Sequence, residues 1–241
     1  MARRLFFVPE VSRGTAELKG ADAEHLVRVL RAEPGEVYEI SDNRRAYLAK
    51  IESARKSSVV FQVMEELPDY PEAATVHLFP ALFKFDRFEW MLEKATELGA
   101  TKIQAFNAAR SDGGLARAAP KRVERWKRIA LEASQQSRRR KLPEIELAES
   151  LESVAEQWFE VKLLLDESRS APSLFSILGS IEKSVHDRIG ILLGPEGGWT
   201  DIERQTILSA GWKAGSLGSS ILRAETAAIA ALSVINVLWT R

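Results

Sequence analysis

The sequence feature that most constrains the fold is a pair of glycine-containing loops, each of which directly follows a short apolar run. Ile189–Leu193 is followed at once by Gly194-Pro195-Glu196-Gly197-Gly198. A second candidate strand, Lys213–Leu217, is followed by Gly218-Ser219-Ser220. Short apolar runs bounded by turn residues are typical of buried parallel strands, and loops at the carboxyl ends of such strands share one crevice. The sequence therefore predicts a binding cleft lined by both loops.

A helix is expected after each loop. Thr200 and Glu203 have the spacing of a capping box, and Gly211 is the expected stop signal for the helix that they begin. The last helix is expected from about Ala224 to Trp239 and is apolar on almost every side, which is typical of a helix buried all round. Two explanations of its composition stay open. The helix lies at the centre of its own domain, or a second copy of the protein covers one face.

The middle of the chain alternates strand-like apolar runs with helical patterns, which is typical of an α/β layer with a parallel sheet. The candidate strands of this layer are Val76–Phe83, Lys102–Phe106, Val161–Leu165, Ile189–Leu193 and Ala214–Leu217. Asp86 and Glu89 have capping-box spacing for the helix that Gly99 ends. Another helix is expected from about Pro120 to Ser137. Asp166-Glu167 supplies a third loop at the end of a strand.

The first 70 residues form a small β-rich unit by the same criteria, with one helix. The candidate strands of this unit are Arg3–Val8, Glu36–Ser41, Ala46–Glu52 and Ser58–Glu65. Asp22 is expected to cap the helix, which covers Ala23–Arg31. Pro68–Glu72 resembles a linker. We therefore expect one domain over residues 1–70 and a second over residues 71–241.

The charges of the chain are segregated, although its formal net charge is zero. Between Arg110 and Lys141 there are eleven Lys or Arg residues against three Asp or Glu, an excess that can form a basic surface. The run Arg138-Arg139-Arg140-Lys141 follows the end of an expected helix. Two explanations of this run stay open, because cations stabilise a helix C-terminus and basic clusters also bind the RNA backbone.

Several classes of protein are excluded by missing residues or motifs. There is no cysteine, so disulfides and thiolate metal sites are excluded, and the three histidines lie far apart in sequence. The loop after Gly194 lacks the lysine of a P-loop, and no G-x-G-x-x-G, G-x-S-x-G or H-E-x-x-H motif occurs. The N-terminal apolar run is too short for a signal peptide, and no apolar run reaches the roughly 18 residues of a membrane span. We therefore expect a cytoplasmic protein without a metal site.

Two segments of the tail together resemble a known family. Leu193–Gly198 and Leu217–Ala227 are similar to the paired signature of the 16S ribosomal RNA uridine-N3 methyltransferases (RsmE-type), within the SPOUT superfamily. The resemblance implies an α/β C-terminal domain whose parallel sheet carries a deep trefoil knot, an S-adenosylmethionine cleft lined by the knotted loops, and a homodimer formed through that domain. It also implies that the N-terminal unit is a PUA-like β-barrel associated with RNA binding, while the balanced charges of this unit leave a structural barrel open.

The resemblance also assigns the residues of the cleft. The residues expected to bind the cofactor are Leu165, Leu193, Gly194, Pro195, Glu196, Gly197, Gly198, Leu217, Gly218, Ser219, Ile221, Leu222 and Thr226. Arg223 is the candidate to stabilise the imide anion that forms when uracil N3 loses its proton, and Glu196 or Glu225 is the candidate proton acceptor. The open alternatives are a structural ion pair for Arg223 and a helix-start carboxylate for Glu225.

The residues expected to bind RNA are basic side chains of both domains. They are Arg3, Arg4, His25, Arg28, Arg31, Arg110, Arg138, Arg139 and Arg140. The implied function is S-adenosylmethionine-dependent methylation of uridine N3 in 16S ribosomal RNA of the small ribosomal subunit. Two alternatives stay open: a SPOUT methyltransferase that modifies another base or a ribose 2′-oxygen, and a non-catalytic RNA-binding factor of ribosome assembly.

Overall fold

The structure is a computed structural model that describes residues 4–68, 73–168 and 171–239. The chain forms two compact units, of which the first is Met1–Pro71 with Leu131–Leu142 and the second is Glu72–Ala130 with Pro143–Arg241. Four of the five residues of the expected linker Pro68–Glu72 lie outside the described residues, as does the expected boundary after residue 70. The division into domains 1–70 and 71–241 stays a prediction.

The first unit is built on a mainly antiparallel sheet. Within the described residues its strands are β1 (Leu5–Phe7), β2 (Val11–Ser12), β3 (Thr15–Lys19), β4 (Val37–Ser41), β5 (Ala46–Arg55) and β6 (Ser58–Leu67). They pair in the order β1-β4-β5-β6-β3-β2, and the β1-β4 pair is parallel. The alternation of buried Ala16 and Leu18 with exposed neighbours shows that one face of β3 packs on the core. The predicted β-rich unit is confirmed, and its closure into a barrel stays a prediction.

The helix of the first unit begins earlier than its sequence pattern predicts. Helix α1 covers Gly20–Glu24 and continues as one π-helical turn over His25–Val29. Its N-cap residue is Lys19, whose side chain makes no capping hydrogen bond, so the prediction of Asp22 as the cap is wrong. The physical reason is Gly20, which takes a φ of 70° that other residues rarely adopt and thereby starts the helix two residues before the expected cap.

The second unit contains a parallel sheet, as the alternating pattern predicts. Over the described part of this unit the strands are β7 (Thr75–Pro80), β8 (Lys102–Ala105), β9 (Glu144–Leu147), β10 (Val161–Leu165), β11 (Arg188–Leu193) and β12 (Lys213–Gly215). Their order is β12-β10-β11-β7-β8-β9, and every neighbouring pair is parallel. The predicted α/β class is therefore confirmed, and the trefoil knot stays a prediction.

Helices cover both faces of this sheet. They are α2 (Phe85–Glu97), α3 (Gly113–Ala118), α4 (Val123–Ser137), α5 (Leu151–Ala155), α6 (Leu174–Gly179), α7 (Asp201–Ser209) and α8 (Ala224–Trp239). Successive strand residues point to opposite faces, so Ile191 packs with helices α2 and α8 while Leu192 packs with Trp212 on the other side. Burial of both faces explains why β11, in the middle of the sheet, is apolar from Ile189 to Leu193. Among the helices of the described residues, none is long and apolar enough to cross a membrane.

The predicted cap of helix α2 is corrected by the structure. Helix α2 begins at Phe85 after Lys84, and no side chain caps it, so the expected capping box of Asp86 and Glu89 is wrong. The carboxylate of Glu89 instead accepts hydrogen bonds from Arg122 and Arg125.

Helix α8 is less completely buried than its composition suggests. Ala228 and Ala231 are fully buried, whereas Thr226 is exposed and Val237 is 79% exposed. One stripe of this helix is therefore exposed in a single chain, so its own unit does not account for burial on every side, and cover by a second copy stays a prediction. The capping box of Thr200 and Glu203 at the start of α7 is confirmed.

Candidate active site

A cavity of about 290 Å³ lies at the carboxyl ends of β10, β11 and β12, which are neighbours in the parallel sheet. The loops that follow these three strands form most of its wall, while α2 contributes Arg87 and α8 contributes Ala224 and Ala227. Ligands of open parallel sheets bind at this end of the strands, because the loops there expose unpaired backbone groups. The two glycine-containing loops of the sequence therefore line the same cavity.

The loop after β11 needs glycine at two positions for different reasons. A Cβ atom on Gly194 would lie 2.9 Å from Nε1 of Trp199, which is closer than real Cβ contacts allow. Gly198 has a φ of 70°, and its N–H donates to the carbonyl oxygen of Pro195 to close a tight turn. Side chains at these positions would either displace Trp199 or strain the turn. The loop thus presents its backbone to the cavity.

The first turn of α7 and the tryptophan before it hold two other loops in place, those after β10 and β8. Trp199 donates from Nε1 to the carbonyl oxygen of Leu165, at 3.3 Å. Arg204 donates from Nε to Oδ2 of Asp166, at 2.7 Å, and the Asp166 side chain is only 6% exposed. Glu203 accepts from the backbone N–H of Ala109, at 2.7 Å. The wall of the cavity is therefore fixed before any ligand binds.

The loop after β12 is ordered by its own polar groups. The hydroxyl of Ser216 donates to the carbonyl oxygen of Gly218 and accepts from the N–H of the same residue, at 3.0 and 3.3 Å. Gly218 has a φ of 137°, which strongly favours glycine. Farther along the loop, Ile221 is 76% exposed and Arg223 is exposed. An apolar and a cationic side chain therefore lie together at the rim.

An arginine that the sequence analysis missed joins two of the expected catalytic carboxylates. Arg87 lines the cavity and donates from Nη1 to Oε1 of Glu196, at 2.6 Å. Its Nε lies 3.9 Å from Oε1 of Glu225. Oε2 of Glu225 is buried and has no hydrogen-bond partner within the described residues. One sequence signal could have indicated Arg87. It lies on the first turn of the helix that follows β7, at the same edge of the sheet as the glycine loops.

Most of the residues expected to bind the cofactor lie in the cavity wall. The expected residues found there are Leu165, Leu193, Gly194, Pro195, Glu196, Gly198, Leu217, Gly218, Ile221 and Leu222, together with the expected catalytic Arg223. Gly197, Ser219 and Thr226 belong to the same segments and are not among the wall residues that the structure describes. The wall also includes Asp166, Glu167, Trp199 and Ser216, which the sequence analysis did not assign.

The expected RNA-binding residues of the N-terminal unit lie at the surface. Arg3 lies outside the described residues. Arg4, His25, Arg28 and Arg31 are exposed, and Arg28 lies 3.7 Å from Glu24. These side chains are therefore accessible to a ligand in solution.

Arg110 lies beside the cavity wall. It is exposed and donates from Nη1 to the carbonyl oxygen of Gly197, at 2.9 Å. A Cβ atom on Gly197 would lie 3.2 Å from Cβ of Arg110, so the glycine permits this close approach. The structure thus gives this expected RNA-binding residue a second task, which is to hold the loop after β11.

The three consecutive arginines after α4 differ from one another in their surroundings. Arg138 is exposed and has a φ of 59°. Burial lowers the pKa of Arg139 to about 10. Arg140 donates from Nη1 to the carbonyl oxygen of Pro68, at 2.6 Å, and lies 3.4 Å from Glu39. Arg139 and Arg140 are thus largely enclosed by the first unit, while Arg138 faces solvent.

The cavity fits a small organic cofactor better than an ion. Its volume approaches the lower end of small-molecule pockets, which hold roughly 300–1,000 Å³. Its wall combines glycine backbone, apolar side chains such as Leu222, and the charged side chains of Arg87 and Glu196. In the part of the chain that the structure describes, no group of three His, Cys, Asp or Glu residues is arranged to hold a metal ion. This donor set suits a nucleoside with a charged tail.

Comparison with known proteins gives the family. A family model described as an RNA methyltransferase domain matches residues 71–236, and one described as an RNA methyltransferase PUA domain matches residues 18–64. Ribosomal RNA small subunit methyltransferase E of Synechocystis sp. is 34% identical over 99% of this chain and 78% of that protein. The protein of the same name from Bacillus subtilis is 33% identical over 92% of this chain and 90% of that protein.

Solved structures agree with these sequence matches. The crystal structure of a ribosomal RNA small subunit methyltransferase E from Neisseria gonorrhoeae bound to S-adenosyl methionine superposes with a TM-score of 0.86 and 30% identity, covering 99% of this chain and 98% of that one. A methyltransferase from Legionella pneumophila in complex with the same cofactor gives a TM-score of 0.86 and 27% identity, covering 98% of each chain. The chain therefore belongs to the ribosomal RNA small subunit methyltransferase E family of RNA methyltransferases, within the SPOUT superfamily.

Proposed function

We propose that this protein is an S-adenosylmethionine-dependent methyltransferase that methylates N3 of a uridine in 16S ribosomal RNA of the small ribosomal subunit. The observation that carries the proposal is the single cavity at the ends of β10, β11 and β12, whose wall combines both family signature loops. Relatives over the full length of the chain are named for the small-subunit ribosomal RNA, and two solved relatives hold the proposed cofactor.

The chain's own contribution to cofactor binding is alignment. S-adenosylmethionine, when bound, supplies an electrophilic methyl group on a sulfonium sulfur. The backbone of Gly194, Gly198 and Gly218 lines the cavity without side-chain cover, and Leu193 and Leu222 supply apolar surface there. Because Arg204 of α7 anchors the loop after β10, Arg110 holds the loop after β11 and Ser216 orders the loop after β12, little order has to be gained on binding. Such preorganisation raises the rate of methyl transfer, because this displacement requires the methyl donor and the acceptor nitrogen to be aligned.

The chemistry at the uracil requires removal of the N3 proton and stabilisation of the imide anion that results. We propose Arg223, Glu196 and Glu225 as the catalytic residues. Arg223 is exposed and lines the cavity, so its guanidinium is accessible to an anion that forms there. Glu196 is held by Arg87, and its side chain is 38% exposed, so it is accessible to a base that enters from solvent. Uracil N3 is hidden in a base pair, so the substrate base must be unpaired or flipped out.

The remaining parts of the proposal concern RNA and oligomeric state. We propose that residues 1–70 are the PUA-like RNA-binding domain, and that residues 71–241 are the knotted methyltransferase domain. Exposed Arg4, His25, Arg28 and Arg31 support an RNA-binding role of the first domain. The proposed RNA-binding set also keeps Arg3, Arg110, Arg138, Arg139 and Arg140. A ribosomal RNA substrate supports the expected cytoplasmic location.

A homodimer through the second domain is also proposed. Helix α2 packs along α8, and each helix carries a large exposed apolar side chain, Trp90 at 47% and Val237 at 79%. Exposed apolar surface of this kind marks protein interfaces. Sedimentation at micromolar concentration should give the dimer mass for the wild type and a larger monomer fraction for Val237→Glu, since a buried unpaired carboxylate opposes association. A stable wild-type monomer would contradict the dimer.

The activity is tested with purified protein, the methyl donor and 16S ribosomal RNA, supplied free or in small subunits. Mass spectrometry of the digested nucleosides should show 3-methyluridine with the wild type and less of it with Glu196→Gln. Methylation at another atom would assign the chain to a different specificity within the family. Absence of any methylated nucleoside with both RNA forms would refute the proposal.

A further inference from the structure

Two acidic side chains share one arginine beside the cavity. Arg87 is hydrogen-bonded to Glu196 at 2.6 Å and lies 3.9 Å from Glu225. When all three groups are ionised, two carboxylates face one guanidinium, which leaves an excess of one negative charge. A cationic ligand group at this place would neutralise the excess.

Glu225 lacks a partner that a buried carboxylate normally has. The residue is 6% exposed, and its Oε2 has no hydrogen-bond partner within the described residues. Buried polar atoms are almost always hydrogen-bonded, because an unpaired one loses its hydration without compensation. Ala224 and Ala227, on either side of Glu225 in α8, both line the cavity, as does Arg87. Glu225 is not itself among the wall residues, but Arg87, 3.9 Å from its Oε1, is one of them. A ligand that enters the cavity beside Arg87 is therefore the candidate for the missing donor.

The chemistry of the two proposed ligands distinguishes which one supplies the donor. RNA brings phosphate anions, which two carboxylates repel, and its uracil N3–H is a neutral donor. S-adenosylmethionine ends in an amino acid, whose ammonium group is a cation with three donors and whose carboxylate suits a guanidinium. The exposures of the two carboxylates favour the cofactor as the ligand of Glu225. The side chain of Glu225 is 8% exposed, whereas that of Glu196 is 38% exposed and is more accessible to RNA.

We infer that Glu225 and Arg87 form the subsite for the amino-acid end of S-adenosylmethionine, in which Glu225 accepts from the ammonium group and Arg87 donates to the carboxylate. The inference rests on the proposed function and refines it. It leaves Glu196 as the carboxylate that faces the RNA base and accepts its proton. Arg87 is thereby a binding residue for the cofactor, and it positions Glu196 at the same time.

The inference is tested by calorimetry with two ligands that share the nucleoside and the sulfur. S-adenosylhomocysteine carries the amino acid, whereas 5′-methylthioadenosine does not. In Glu225→Gln and in Arg87→Gln, the affinity for S-adenosylhomocysteine should fall about 10- to 100-fold, the effect expected for one charge-assisted hydrogen bond, while the affinity for 5′-methylthioadenosine stays within about 3-fold. An equal loss for both ligands, or no loss for either, overturns the inference.

A matched control comes from another ion pair of helix α2. Glu89, whose side chain is 12% exposed, binds the exposed Arg125 at 2.8 Å, and neither residue lines the cavity. Glu89→Gln and Arg125→Gln should leave both affinities within about 3-fold.

A further measurement on the wild type does not depend on how the variants fold. S-adenosylmethionine and its decarboxylated analogue differ only in the carboxylate, so the analogue should bind about 10-fold more weakly. Equal binding overturns the role of Arg87. Failure of the wild type to bind any of these ligands would instead refute the proposed function itself.

Discussion

Two features stand out in the sequence: the loops after β10, β11 and β12, and the basic run Arg138–Lys141. They differ in how far the fold brings their residues together. The loops meet at one cavity, where glycine backbone and a few side chains form the wall. The basic run is divided: Arg138 faces solvent, while Arg140 is hydrogen-bonded to Pro68 and paired with Glu39. The sheet fixes the place of a loop at a strand end, whereas consecutive charges on a chain segment can differ in exposure from one residue to the next.

The largest expected effect follows from adding one methyl group to the cavity wall. In Gly194→Ala the new Cβ would lie 2.9 Å from Trp199, so Trp199 must move away from Leu165, which it holds. We expect at least a 10-fold loss of affinity for S-adenosylmethionine in calorimetry. Gly179→Ala is the control, because its Cβ would meet no atom within 4 Å. Unchanged affinity in Gly194→Ala would show that the loop position is not decisive.

The next effect comes from the ion pair that anchors the loop after β10. Arg204→Met leaves the carboxylate of Asp166, 6% exposed, without its partner. Since Arg204 is itself 38% exposed, we expect a loss of about 1–3 kcal/mol in the free energy of unfolding, less than for a fully buried pair. Chemical denaturation measures it, and Gln205→Met on the same helix should change stability by less than about 0.5 kcal/mol. A similar small change in Arg204→Met would mean that Asp166 does not need the pair.

A smaller effect on stability is expected in the basic run. Arg140→Met removes the hydrogen bonds to Pro68 and Glu39, so the free energy of unfolding should fall by about 1–2 kcal/mol. Thermal melting measures the change, and the exposed neighbour Lys141→Met is the control. If both variants melted alike, Arg140 would have to be regarded as a surface charge.

The smallest effect is expected at the neighbouring arginine. Arg138→Gln should leave the melting temperature unchanged, since the side chain is exposed. Its affinity for 16S ribosomal RNA should fall about 2- to 5-fold, and the slope of log affinity against log salt should become less steep by up to about 1, as for one lost phosphate contact. An unaltered salt dependence would remove Arg138 from the proposed RNA-binding residues.

Local sequence patterns predicted those parts of the fold that local physics determines. The apolar runs that become β10 and β11, and the capping box of Thr200 and Glu203, depend on residues close in sequence. Strand β9 was missed because Glu144–Leu147 has only two apolar residues and pairs at the sheet edge with β8, about 40 residues earlier. The strand order likewise depends on pairings that no local pattern encodes.

The site could be predicted as far as its glycine loops and no farther. The resemblance placed Glu196 and Glu225 near each other, although nothing in either segment indicates an arginine between them. Arg87 lies more than 100 residues earlier, and only the parallel sheet brings its helix to that edge. Contacts distant in sequence also explain why the capping pattern of Asp86 and Glu89 was misleading. The carboxylate of Glu89 is paired with Arg122 and Arg125 and does not cap the helix.

The grouping of Leu131–Leu142 with the first unit has a practical consequence for dissecting the protein. A fragment that starts at residue 72 would retain this segment but lose Ser41, Asn43 and Glu39, to which its backbone and Arg140 are hydrogen-bonded. A truncation there would thus expose an arginine-bearing segment inside the fragment, which favours aggregation over an independently folded second unit. Two halves divided at residue 72 should therefore restore activity only when they are co-expressed, so that Leu131–Leu142 can pack with the first unit as it folds.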